Sequence, residues 1–136
     1  MIPDIAYALA ARLGTWADAE GISVAWENVP FTPPANEMYL AVHDMPVTPR
    51  TIDFGLRCRA YSGVYQINVV APAGSGRTSV VALAGRVAEL FPEGLEIAGK
   101  DFTCWISSTP GIFRGVPTPV SYSVPVSLNY RADITN

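Results

Sequence analysis

A chain of 136 residues is expected to form a single domain, 1–136, large enough to bury a core without metals or disulfides. Charged residues make up only 15% of it, against the roughly 25% of an ordinary soluble domain, so Ser, Thr and protein partners must cover the remaining surface and an oligomer is favoured. A net charge of −3 with one lysine, Lys100, excludes a protein that grips nucleic acid by neutralising phosphates, and no apolar run approaches the ~18 residues that read as a membrane span.

The start, Met1-Ile2-Pro3-Asp4, lacks the basic region of a secretory signal. From Pro3 to about Glu20 the spacing predicts an amphipathic helix, because Ile2, Ile5, Leu9, Leu13 and Trp16 recur every three or four residues. Pro3 suits the first turn, Asp4 complements the helix dipole, and Gly21 ends the helix. Ile22 to Trp26 then reads as a short strand. The stretch Trp26-Glu-Asn-Val-Pro-Phe-Thr-Pro-Pro puts a Trp and a Phe on a loop holding three prolines. Proline fixes its own φ and restricts the preceding residue, so this loop is stiff and loses little entropy on docking. Trp26 and Phe31 serve equally well as lids on the core or as contacts for a partner.

Glu37 to Asp44 reads as a second strand, with Met38, Leu40 and Val42 facing one way and Tyr39, Ala41 and His43 the other. Pro46 to Leu56 has no sustained period and is expected to be an irregular excursion. Cys58 to Val70 is a long strand carrying Tyr61, Gly63, Tyr65, Ile67 and Val69 on one face, ended by Pro72, Gly74 and Gly76. Thr78 or Ser79 is the expected cap of a second helix running to about Phe91, with a stripe of Val80, Ala84, Val87 and Phe91. Two short strands follow, Leu95–Ile97 and Phe102–Ile106, then a Pro/Gly loop, Pro110–Pro119. The last strand alternates cleanly, with Tyr122, Val124, Val126, Leu128 and Tyr130 on one face; Pro125 on the other predicts an edge or a bulge. The order α-β-β-β-α-β-β-β gives an α+β fold with two helices on a mostly antiparallel sheet.

Chemistry is hard to find along this chain. His43 is the single histidine, so one chain alone offers no Ser-His-Asp, Cys-His or multi-histidine site. Cys58 and Cys104 lack C-x-x-C spacing and read as buried, hydrophobe-like thiols, with a disulfide between them left open. Ala73-Gly74-Ser75-Gly76-Arg77-Thr78 sits where phosphate loops sit, yet it fails both glycine-rich patterns, and a tight turn explains it. The carboxylates are dispersed. These observations support neither an enzyme nor a cofactor.

Two blocks of the chain carry a resemblance. The segments AWENVPFTPP, EMYLAV and YSGVYQINVVAPAGSG, followed by a helix ending ELFP, resemble the tail terminator proteins of long-tailed phages and prophages. The resemblance runs from the first helix to at least Phe91, and the order of elements fits to the end. It implies a structural protein with no catalysis and no cofactor. Such a protein forms a ring, expected to be hexameric, on the head-proximal end of the tail tube. There it stops tube polymerisation and offers the surface that joins tail to head. Its implied partners are copies of itself, the tail tube protein and a head completion or connector protein, with DNA passing through the lumen unbound and no membrane involved. Its implied location is the virion, after assembly in the host cytoplasm. The motif positions carried over are Trp26, Asn28, Pro30, Phe31, Pro33 and Tyr39 in the first block, and Tyr61, Gly63, Tyr65, Gln66, Pro72, Gly74 and Gly76 in the second.

Low charge, stiff proline loops and an acidic balance agree with this from the residues alone. The Pro46–Leu56 and Pro110–Pro119 loops are the expected axial contacts of such a ring. Three rivals remain: another neck protein, such as a tail-completion or head–tail joining protein; a monomeric small-ligand binder lining a deep pocket with Trp26, Phe31 and Trp105; and an enzyme assembling a site between subunits around His43.

Overall fold

The computed structural model describes residues 4–135, so the expectations for Ile2 and Pro3 lie outside it. The first helix, α1 (Ile5–Glu20), starts where the Asp4 carboxylate accepts a hydrogen bond from the Tyr7 amide at 3.1 Å, and ends at Gly21 in the left-handed region. Its buried face holds Ile5, Ala8, Leu9, Leu13 and Ala17. The second helix, α2 (Thr78–Leu90), buries Val80, Leu83, Ala84 and Val87. Neither Thr78 nor Ser79 caps it. Arg77 occupies the cap position without a side-chain hydrogen bond, and the helix is held by packing instead.

The strands are β1 (Ser23–Ala25), β2 (Tyr39–Pro46), β3 (Arg50–Thr51), β4 (Cys58–Pro72), β5 (Glu96–Gly99), β6 (Phe102–Ile106), β7 (Gly111–Ile112), β8 (Val116–Pro117) and β9 (Ser121–Thr135). They form one sheet with main order β1-β2-β4-β9-β6-β5, antiparallel except for the parallel β1–β2 pair. The axis of the molecule is the ladder between β4 and β9. Each has 15 residues, and they pair along their whole length from Cys58↔Thr135 to Pro72↔Ser121, a span of about 50 Å at ~3.3 Å per residue.

One face of this ladder is apolar and both helices lie on it. Leu40, Val42, Tyr65, Ile67, Val69, Val124, Val126, Leu128 and Tyr130 join the helix stripes and Phe91 in a single core. The sheet curls so that both of its edge strands, β1 and β5, come against α1. Trp16 and Arg86 link the helices: the guanidinium lies 5.4 Å from the Trp16 ring and 2.5 Å from the Glu20 carboxylate.

Three short strands were not legible as such. Pro46–Leu56 is not irregular throughout, because β3 pairs with the start of β4 through Arg50↔Ala60 and Thr51↔Arg59. The Pro110–Pro119 loop contains β7 and β8, which line the side of β9 away from β4. There β8, β7 and β6 pair with β9 in turn at residues 122–123, 126–127 and 130–131. Pro125 falls in the gap between β8 and β7. Its carbonyl accepts from the Phe113 amide at 2.9 Å on that side, where its missing N–H leaves no ladder bond unmade. The strand is therefore central by topology and edge-like only at that residue.

Candidate functional site

The long ladder has two ends, and each carries exposed apolar loops. At one end the β3–β4 hairpin and the segment leading to it form an arm, residues 46–57. Its turn is firmly built: one Asp53 carboxylate oxygen accepts from the Arg57 and Cys58 amides, both at 2.9 Å, and the Ile52 amide donates to the Cys58 carbonyl at 3.0 Å. On this ordered turn Phe54 is completely exposed, Leu56 is 66% exposed, and Ile52 and Val47 also face solvent. An aromatic held in water by a structured turn is unusual for a monomer surface.

At the other end lie residues 73–77, 113–120 and the returning part of the loop 26–38. That loop leaves β1 towards the arm, where the Glu27 carboxylate accepts from the Asp44 amide at 2.9 Å, and comes back to Tyr39. Ala73 donates its amide to the Val120 carbonyl at 3.2 Å, and Thr118 closes the last turn through its hydroxyl against Ser121 at 2.9 Å. Phe113, Val116 and Val120 are exposed there, Val120 at 80%. Tyr39, Val70, Ser123 and Val116 follow one another across the sheet at this end. The register sets Ser123 and Ile134 eleven residues apart on β9, so the two ends are separated by roughly 35 Å.

The motif positions of the sequence divide between these regions. Phe31 stacks on Tyr39 with ring centroids 5.1 Å apart, and both are half-buried at the loop end. Asn28 adopts a positive φ of 55° in an exposed turn, and Pro30 and Pro33 are exposed beside it. Pro72 ends β4 at the loop end, followed by Gly74 and Gly76, exposed and at φ of 81° and 84°. Trp26 instead packs on the core over α1, its ring 3.3 Å from where a Cβ of Gly14 would stand. Tyr65 is buried in the core, and Gln66, on the opposite face, donates to Asn68 at 2.8 Å.

Tyr61 and Gly63 lie towards the arm, and Gly63 has a spatial role. Its cross-strand partner is Tyr130, whose ring passes over the Gly63 backbone to donate a hydrogen bond to Asp44 on β2 at 2.7 Å. A Cβ on Gly63 would stand 2.4 Å from the Tyr130 hydroxyl oxygen and 2.8 Å from the Met45 carbonyl oxygen. Burial pushes the Asp44 carboxyl above its usual range. The Tyr130 hydrogen bond opposes that shift, and the negative charges of Glu27 and Asp4 add to it. Burial also raises the Tyr130 phenol, and the Asp44 contact raises it further. This triad clamps three strands together.

Neither cysteine is bonded: Cys58 is half-buried and Cys104 fully buried, with its thiol pushed up by burial and so poorly nucleophilic. His43 is exposed on the sheet face that no helix covers. Among the described residues no group of three or more His, Cys, Asp or Glu is placed to hold a metal ion, and no helix is long and apolar enough to cross a membrane. An open groove of about 880 Å³ lies between α1 and the β5–β6 hairpin, lined by Ala11, Trp16, Leu90, Ile97 and Phe102. A second, of about 630 Å³, lies under the arm between Asp4, Asp44, Pro46 and Tyr61. Trp26, Phe31 and Trp105 line neither one. Ile52, Phe54 and Leu56 alternate with Asp53 and Gly55 as the buried residues of a strand do, so periodicity alone does not mark them as exposed.

A family model described as phage tail terminator protein matches residues 4–130. Among solved structures, one chain known by a serial designation alone is 32% identical, with a TM-score of 0.79; the match covers 94% of this chain and 92% of that one. No curated protein matches.

Proposed function

We propose that this chain, which belongs to the phage tail terminator protein family, caps the head-proximal end of a tail tube as a ring of six copies. The observation that carries the reading is the family match across nearly the whole domain. As a family member it is a structural component of the phage tail. The finer account, of a ring that stops tube growth and then joins the head, draws on the two unlike ends of the β4–β9 ladder.

A ring of subunits whose ladders run along the tail axis presents the end of the ladder at Cys58 and Thr135 on one face and the end at Pro72 and Ser121 on the other. The two faces differ in residues, shape and charge, so a tube subunit that fits one has no seat on the other. Growth then ends by geometry, because a heterologous stack needs the same pair of surfaces at every step. The capping ring replaces the exposed face with one that a head protein recognises instead. Proline stiffness in residues 26–38 and the hydroxyl-closed turn at Thr118 reduce the ordering entropy of such contacts. The partners in this account are the tail tube protein and a head completion protein, the work is done without catalysis or cofactor, and assembly takes place in the host cytoplasm.

With seven basic residues outside the arm and only one of them lysine, the lumen lets DNA slide. Measurable affinity of the assembled ring for duplex DNA at physiological salt contradicts that part. The reading as a whole is tested by adding the purified chain to growing tubes and measuring their lengths by electron microscopy. Tubes should stop at the length at which the chain is added and carry an end cap. Replacing the exposed Phe113 and Val120 by aspartate should abolish the cap while the domain stays folded. A chain found only on the head side of the joint would favour a tail-completion or joining protein of the same fold.

A further inference from the structure

Charge is distributed unevenly along this molecule. Residues 46–60 carry Arg50, Arg57 and Arg59 against one carboxylate, Asp53, a balance of +2. The whole chain carries −3, so everything outside that stretch carries −5. None of the three arginines is in a salt bridge with another side chain among the described residues; the two such pairs are Arg86–Glu20 and Arg131–Asp133. A basic, apolar-tipped arm thus projects from an acidic body, and each complements the other on a second copy.

We infer that the arm of one subunit crosses to its neighbour and seats Phe54 in the groove between that neighbour's α1 and β5–β6 hairpin. This rests on the ring reading and names the surfaces that form its seam. Three observations support the fit. The groove is open, apolar-floored and, at about 880 Å³, roomy enough for a side chain the size of Phe with Leu56 beside it. Its rim is neutral in balance, with Asp4 and Glu96 beside Arg12 and Lys100, so it carries two carboxylates that the arm's arginines can pair with. Asp4 lines both the groove and the cavity beneath the arm, so the groove opens at the arm's own end of the ladder. In a flat ring the arm of one copy and the groove of the next therefore lie at the same height.

Arm and groove are different surfaces of one chain, so their contact is heterologous and propagates from copy to copy until it closes. The hairpin turn is held by Asp53 before any contact is made, which limits the ordering cost. Phe54, as the central buried aromatic, then dominates the seam, with Arg50 and Arg57 setting orientation and salt dependence.

The test uses two variants whose changed residues are exposed in the free chain, Phe54→Asp and Ala11→Trp, the second filling the groove. Wild type is expected to self-associate with rising concentration in native mass spectrometry, less so as salt increases. Each variant alone should stay monomeric, its association weakened by about tenfold or more, with an unchanged melting temperature. An equimolar mixture should recover dimers and nothing larger, because the intact groove of the first accepts the intact arm of the second. Association of Phe54→Asp at the wild-type level, or a mixture that stays monomeric, overturns the inference. So does a wild type that remains monomeric at its solubility limit. If that same wild type still caps tubes, the seam falls and the tail reading stands. An arm-dependent oligomer that ignores tube ends gives the opposite result.

Discussion

Replacing Gly63 by alanine tests how the sheet is held at the base of the arm. Gly63 has no positive φ, so what the position demands is space. A Cβ there would stand 2.4 Å from the Tyr130 hydroxyl and 2.7 Å from the carbon bearing it, so the ring must move. Moving it breaks the Tyr130–Asp44 hydrogen bond, and a hydrogen bond to a charged group is worth about 1.5–3 kcal/mol. The second close contact, at 2.8 Å, is the Met45 carbonyl, which is backbone and yields only if β2 shifts. Overpacking of this kind typically costs about 1–3 kcal/mol. The two effects overlap, so Gly63→Ala should destabilise by about 2–5 kcal/mol and lower the melting temperature by on the order of 10 °C. Chemical denaturation of Gly63→Ala, Tyr130→Ala and the double variant separates the two contributions. With the ring gone, the alanine meets only the Met45 carbonyl, so its cost in the Tyr130→Ala background should fall by at least ~1 kcal/mol. A Gly63→Ala variant within about 0.5 kcal/mol of wild type, or an equal cost in both backgrounds, refutes the clamp.

Asp44→Asn should keep the contact with Tyr130 while removing a half-buried charge. The Asp44 carboxyl is raised in the folded state, so its contribution to stability is present at low pH and lost as pH rises through the folded value. Denaturation midpoints should show the variant at least as stable as wild type at pH 7, with wild type gaining relative to it on acidification towards pH 4; a variant less stable at pH 7 contradicts the burial argument. Leu13→Ala, at a fully buried site on the core face of α1, should cost about 2–5 kcal/mol by the same assay, and a cost below ~1 kcal/mol would mean the helix packs elsewhere. Gly21→Ala should cost about 1 kcal/mol because an alanine there must adopt a φ of 71°, and an unchanged midpoint would show that the cap relaxes freely. Val120→Asp and Phe113→Asp should leave melting temperatures within a few degrees yet abolish capping of tube ends, as read by electron microscopy; retained capping would remove that end from the contact.

The parts of the fold legible in the sequence are those with a long hydrophobic period. The α1 stripe and the alternation from Tyr122 to Tyr130 both point to the core as expected, and the alternation continues through Ala132 and Ile134. The two-residue strands were not legible. Arg50–Thr51 has no apolar alternation, and its pairing comes from the register of a ladder that runs past the helices. The Asp44–Tyr130 contact joins residues 86 apart, and no local rule brings them together. Of the candidate positions, Phe31 and Tyr39 meet at the end of the ladder where Pro72–Gly76 lies, whereas Tyr65 and Gly63 are internal and Trp26 packs on the core. Phe54 was hidden for a physical reason: an exposed Phe and a core Phe are identical in sequence, and only the Asp53-capped turn shows which this one is.

Native mass spectrometry of the purified chain, alone and mixed with preformed tail-tube ends, tests the central claim most directly. The account predicts six copies of the chain bound per tube end, whether or not the ring forms in the chain's own solution. A monomer or dimer that leaves tube ends bare would contradict it.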